Sequence, residues 1–245
     1  MIGRLRIWLR LAIEDVGFRM REVVRRCLRK LIEIAITDVD LMGSLRDIAS
    51  SVAFEREHLA SAAHFKGRAQ LFRHALDLVA SDDGLFLEFG VYKGDSINRL
   101  AGLKPGVHWH GFDSFVGLPE AWTMGARAGA FGVGGRLPPV RDNVTLIAGF
   151  FEQTLKPFAA EHCGAKVAFL HVDCDLYSAT RTILAELGDM LQPGCIIVFD
   201  EYFNYTGWQD GEYKAFVEFV AEKKRTFDYI GYVRTGGQVA VRLTS

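Results

Sequence analysis

The sequence predicts an α/β fold: a mostly parallel sheet, covered on both faces by helices and closed by an antiparallel hairpin. Three observations carry that expectation. From Leu85 onward, short and nearly continuous apolar runs alternate with longer helical or loop segments, the pattern of strands buried on both faces. The runs are LFLEF (85–89), HWHGF (108–112), VTLIA (144–148), VAFLHV (167–172), CIIVF (195–199), DYIGYV (228–233) and QVAVRL (238–243). Only RTGG (234–237) joins the last two. That is too short for a crossover helix, so the pair must run antiparallel.

Ahead of this sheet, residues 1–80 read as a helical extension and residues 81–245 as the α/β domain. The clearest amphipathic stretch is RAQLFRHALDLVA (68–80), with Leu71, Phe72, Ala75, Leu78 and Val79 on one face. The first thirty residues combine Arg4, Arg6, Arg10, Arg19, Arg21, Arg25, Arg26, Arg29 and Lys30 with interleaved aliphatic residues. This reads as a basic amphipathic helix or helix pair that packs on the domain or on a dimer mate. The alternative is contact with an anionic membrane surface or partner.

Composition narrows the class. The 245 residues are 49% hydrophobic, enough for one full α/β domain. A net charge of −1 gives no global field toward nucleic acid. Cys27, Cys163, Cys174 and Cys195 form no CxxC pair, which fits reduced, mostly buried thiols in a cytoplasmic protein rather than a zinc cluster. No apolar stretch reaches the roughly 18 residues of a membrane span. Arg4, Arg6 and Arg10 make the first residues a poor secretory signal.

The first strand runs into LFLEFGVYKGDS, which places Glu88 within the strand, then Gly90 and Gly94, then a helix opened by Asp95 and Ser96. Glycines let the backbone turn sharply and approach a ligand, and the helix start offers free N–H groups. The spelling is E-x-G-x-x-x-G, with Tyr92 inside it, not the GxGxxG of a nicotinamide site. An acid here repels pyrophosphate but accepts hydrogen bonds from an ammonium group. A plain strand-to-helix turn is the competing reading. Asp113, with Ser114 beside it, follows the next strand about 20 residues on, where α/β nucleotide sites place an acid for ribose hydroxyls. Together the two elements favour an adenosine-containing ligand over a simple turn.

Two later strands also end in acids: Asp173 in HVDCDLYSAT, and Asp200 with Glu201 in IIVFDEYFNY. If those strands are neighbours, their carboxylates meet at one sheet edge and repel one another unless a cation intervenes. Oxygen-only ligands suit Mg²⁺. The competing reading has these acids capping helices or pairing with basic side chains. Asp175 is expected to cap the helix that YSATRTIL begins, and His171 to point into the sheet.

The segments EFGVYKGDS, GFDSFVGLPE, NVTLIAGFFEQTL, HVDCDLYSAT and IIVFDEYFNY, in this order, resemble the macrocin O-methyltransferase family of S-adenosylmethionine enzymes. The resemblance covers about residues 65 to 243. It implies a class I methyltransferase fold, a Rossmann-like sheet of seven strands with the closing hairpin, so that 81–245 is an S-adenosylmethionine-binding catalytic domain. It also implies Mg²⁺-dependent methyl transfer to a hydroxyl of a small molecule, often a sugar of a glycosylated natural product. By resemblance, Asp173 is a metal ligand and the proton acceptor. Asp200 and Glu201 match the pair of metal acids, the second of which is usually Asp in the family. The expected donor-binding residues are Glu88, Gly90, Tyr92, Gly94, Ser96, Asp113 and Ser114, with Phe150 or Phe151 stacked on adenine. FKGRAQLF (65–72) loosely matches a segment near the donor site in the family, and the alternative has Lys66 and Arg68 solvated. The glycine-rich stretch 117–139 reads as a lid over the acceptor, and Tyr205, Trp208 and Gln209 as an acceptor wall.

Self-association is expected from the resemblance and the N-terminal helices. A catechol or other phenolic acceptor is the nearest alternative substrate. An S-adenosylmethionine-binding interaction protein without turnover is the alternative of another class.

Overall fold

A computed structural model describes residues 20, 22–34 and 37–245. The chain divides into two units, Met1–Arg46 and Asp47–Ser245. In the first, residues 22–34 are helical; the expected basic helix ahead of them lies outside the described residues. Helix α1 spans Val39–His58, with strand β1 at Ala63–His64 and α2 at Arg68–Asp77. The alternation expected from Leu85 onward follows: β2 (Leu85–Phe89), α3 (Asp95–Leu103), β3 (Trp109–Asp113), β4 (Val144–Ala148), α4 (Phe151–Glu161), β5 (Val167–Val172), α5 (Tyr177–Leu187), β6 (Ile196–Phe199), α6 (Glu212–Glu222), β7 (Phe227–Tyr232) and β8 (Val239–Leu243).

These strands form one sheet in the order β1-β7-β8-β6-β5-β2-β3-β4. Strand β8 runs antiparallel to both β6 and β7, and the other pairings are parallel. The closing hairpin is as the RTGG spacing requires. Eight strands stand where seven were expected, because Ala63–His64 adds a short edge strand parallel to β7. Two residues are too few to leave a period-two signal, so residues 1–80 are not helical throughout.

Alternate side chains of each inner strand enter opposite cores. Phe86, Phe169, Ile196 and Val198 face the core that α2 and α3 cover through Leu71, Phe72, Ile97 and Leu100. Leu87, Phe89, Leu170, Val172, Ile197 and Phe199 face the core of α4, α5 and α6, against Leu155, Ile183, Leu184 and Phe216. Burial of each such side chain contributes about 1.5–3 kcal/mol. This two-sided burial is what makes the strand runs apolar throughout. The exceptions on the α2 face are Glu88 and His171, both fully buried and paired across β2 and β5.

Candidate active site

The parallel register brings the carboxyl ends of β3, β2, β5 and β6 into line. The ladder continues one step past the strands: Gly90 N–H donates to Phe112 O (2.9 Å), Asp173 N–H to Phe89 O (2.8 Å) and Asp200 N–H to Val172 O (2.8 Å). Gly90, Asp113, Asp173 and Asp200 thus stand along one edge, bordering a cavity of about 380 Å³. Ligands of open α/β sheets bind at this edge.

On the donor side, Gly90 has φ +92, and a Cβ added there would lie 1.6 Å from the carbonyl oxygen of Asp173. Glycine is therefore required for β2 and β5 to end together. Tyr92, also at positive φ (49), projects half-exposed into the cavity. Ser96 and Ser114 line it as well, whereas Gly94 sits behind as the cap residue of α3.

Asp113 reaches back across this loop. Its Oδ2 accepts from Val91 N–H (2.9 Å) and Tyr92 N–H (2.7 Å), and its Oδ1 from Phe115 N–H (2.7 Å). A carboxylate offers about four acceptor positions, so Asp113 keeps room for one more hydrogen bond. Glu88 is placed otherwise than as a donor-facing acid. It is fully buried behind the loop, accepting from Ser96 Oγ on Oε1 (2.9 Å), with His171 Nδ1 3.0 Å from Oε2. Phe150 and Phe151 both line the cavity, and Phe151 also packs edge-on against Phe89.

On the acid side, ligand atoms of His171, Asp173 and Asp200 lie within 4.8 Å of one another, as do those of Asp173, Asp175 and Glu201. Asp173 belongs to both triads. Burial, then the Asp200 charge, push Asp173 up to about 8. Burial would also raise Asp200, but His171 and Arg68 hold it below the usual carboxylate range. Burial alone would lower His171, yet its partners Asp200 and Glu88 hold it up at about 10, an imidazolium between two carboxylates. Its Nε2 stands 3.5 Å from Asp200 Oδ1, an ion-pair separation rather than a close hydrogen bond.

Several residues depart from expectation. Arg68 does not follow the solvated alternative: it lines the cavity, as the loose family match of 65–72 implies, and bonds Asp173 and Asp200. Asp175 does not cap α5, whose cap residue is Leu176 with no side-chain cap bond. It sits instead at φ +64 on the cavity wall, with its pKa raised to about 6 by burial and then by Asp200. Trp208 leaves the acceptor wall. It is buried, and its Nε1 donates to Ser50 Oγ (3.0 Å), which Gln209 Nε2 also reaches (2.9 Å). Trp122, from the stretch 117–139, lines the cavity and lies near Tyr205, ring centroids 6.1 Å apart. That stretch folds on itself through Leu118 N–H to Ala130 O (2.9 Å) and Gly129 N–H to Leu118 O (2.8 Å). Of the four cysteines, Cys174 and Cys195 are buried, but Cys27 and Cys163 are exposed.

Glu212, which no motif singled out, is fully buried behind the acids and accepts from Glu201 N–H on Oε2 (3.2 Å). Glu201 Oε2, Glu212 Oε1 and Tyr205 Oη are buried without hydrogen-bond partners. Burial and like charges raise the pKa of both glutamates. Crowded carboxylates, orphaned buried oxygens and an all-oxygen set around Asp173, Asp175 and Glu201 fit a hard divalent cation.

The sheet order, the glycine turn and the acid-lined edge together define a class I methyltransferase fold. Residues 87–202 match the model of a methyltransferase domain family. Among solved structures, CalS11, a calicheamicin methyltransferase, aligns with a TM-score of 0.58 and 22% identity over 71% of this chain and 77% of that one. Apo CalS11, described as a TDP-rhamnose 3'-O-methyltransferase in calicheamicin biosynthesis, gives 0.52 and 22% over 71% and 78%. The O-methyltransferase NovP gives 0.53 and 19% over 73% and 80%. These likenesses establish the fold. No curated protein matches the sequence.

Proposed function

We propose that the protein is an S-adenosylmethionine-dependent, Mg²⁺-assisted O-methyltransferase acting on a hydroxyl of a small molecule, first among them a sugar of a glycosylated natural product. The observation that carries this reading is that a glycine turn and a cluster of carboxylates open into one cavity. Gly90, Tyr92 and Asp113 border the same space as Asp173, Asp175, Asp200 and Glu201. By fold-level analogy, the likeness to CalS11, described as a TDP-rhamnose 3'-O-methyltransferase, favours a sugar acceptor over a catechol.

In this reading the glycine turn, Ser96 and one free position of Asp113 hold the donor, and Phe150 or Phe151 covers its purine. The sulfonium methyl is already electrophilic, so alignment with the acceptor is the main task. Asp173, Asp200 and Glu201 would hold Mg²⁺, as the resemblance implies, with Asp175 beside Asp173 and Glu201 in the all-oxygen set; its charge, when bound, would favour the alkoxide form of an acceptor hydroxyl. The acceptor proton goes to Asp173, as the resemblance has it. Asp175 lines the same cavity within reach of Asp173 and Glu201 and would serve as a further oxygen ligand. Trp122 and the 117–139 stretch exclude water from above. Ile48 and Val52 are exposed on α1 of the second unit, which supports self-association.

Calorimetry with S-adenosylmethionine, S-adenosylhomocysteine and NAD tests the ligand class; tight NAD binding alone would contradict the reading. An acceptor screen by mass spectrometry, with and without EDTA, then tests turnover. The expected product gains one methylene, and EDTA suppresses it. Donor binding without transfer to any acceptor class would instead favour the non-catalytic alternative.

A further inference from the structure

The metal reading gives Arg68 no role, yet this side chain makes the closest cationic contacts to the acids. Its Nη1 alone lies 3.3 Å from Asp173 Oδ2 and 3.1 Å from both Asp200 oxygens. We propose that Arg68 is a positioning residue that holds Asp173 and Asp200 converged in the ion-free protein and is displaced when a divalent cation binds. The inference rests on the metal reading of this site.

The contact mode is the first support. A permanent arginine–carboxylate pair uses the two-pronged fork of the guanidinium. Here one nitrogen meets three oxygens end-on, as a point charge would. Second, Arg68 is free to leave. It is the first residue of α2, its side chain is 38% exposed, and it lines the cavity. Rotation of the side chain removes it without breaking the helix, and the Phe72 ring, 5.7 Å from its Cζ, stays within reach. Third, Asp200 keeps its aim after Arg68 leaves. Gln238 Nε2 donates to its Oδ2 (3.2 Å), and His171 Nε2 stands 3.5 Å from its Oδ1, both from buried positions. Fourth, ligand atoms of Asp173, Asp175 and Glu201 lie within 4.8 Å of one another, and Arg68 meets only Asp173 of these three. A doubly charged replacement relieves what the guanidinium cannot.

The test is Mn²⁺ titration of the full chain, followed by the electron paramagnetic resonance of free Mn²⁺, for the native protein, Arg68→Gln and Arg68→Lys. Removing the competing charge makes Arg68→Gln bind Mn²⁺ roughly tenfold or more tighter than native. Arg68→Lys stays within about threefold of native, because a tethered ammonium still competes. Equal or weaker binding by Arg68→Gln overturns the inference while leaving the metal reading intact. No Mn²⁺ uptake by any of the three overturns both. A second readout needs no neutral variant: the Arg68 Nε–H resonance, assigned by its loss in Arg68→Lys, moves on adding Mg²⁺. A resonance unmoved at saturating Mg²⁺ overturns displacement.

Discussion

Asp173 is the residue on which both halves of the site meet: its N–H continues the ladder from Phe89, and its side chain belongs to both acid triads. Asp173→Asn keeps the shape but removes a charge. It should lower methyl transfer by about 100-fold or more while leaving S-adenosylhomocysteine affinity within a few-fold. Equal loss of both in calorimetry and turnover assays would make Asp173 structural. Gly90 faces Asp173 from the other strand. Gly90→Ala puts a Cβ 1.6 Å from the Asp173 carbonyl oxygen at a φ of +92, so it should cost about 3 kcal/mol or more in urea unfolding and abolish donor binding. Asp113→Ala releases three loop N–H groups at once. Donor affinity should fall first, with the global melting temperature little changed; unchanged affinity would remove Asp113 from the donor site.

Among the elements, the strands were legible and the polar interior was not. Runs such as VAFLHV and CIIVF match β5 and β6 almost residue for residue, because two-sided burial leaves an unbroken apolar signature. The short gap at RTGG likewise dictated the hairpin. Residue spacing could not tell that His171, two positions before Asp173 and so on the same strand face, meets Glu88 across β2, since cross-strand register is a tertiary fact. Arg68 was illegible for the same reason: it reaches its acids across 105 and 132 residues. Trp208 shows the reverse error, an aromatic near the acids that serves packing. It sits between Phe54 and Tyr213, at centroid separations of 5.1 and 4.9 Å, and fixes α1 through Ser50. Trp208→Ala should therefore cost about 3–5 kcal/mol in chemical denaturation. Trp208→Phe should leave the acceptor KM unchanged; a raised KM would return Trp208 to the acceptor wall.

For the molecule as a whole, acid stability carries a distinct signature away from the site. His110 packs edge-on between His108 and His162, with centroid distances of 5.0 and 5.5 Å. Burial, then those two neighbours, lower its pKa from 6.5 to about 4. The unfolded chain therefore takes up this proton first. The contribution is fully present above about pH 6.5 and is lost as the pH falls to about 4. Partial exposure limits it to about 1–2 kcal/mol. His110→Gln should flatten the fall in melting temperature across that window, and an unchanged slope would contradict the assignment. The central claim, that separate strand ends converge to hold one divalent ion beside a sulfonium donor, is tested most directly by the anomalous difference map of a crystal grown with Mn²⁺ and S-adenosylhomocysteine. The account predicts a peak among Asp173, Asp200 and Glu201, with the nucleoside against Gly90 and Asp113. A map with the nucleoside elsewhere, or with Arg68 still bridging Asp173 and Asp200 and no peak between them, would contradict it.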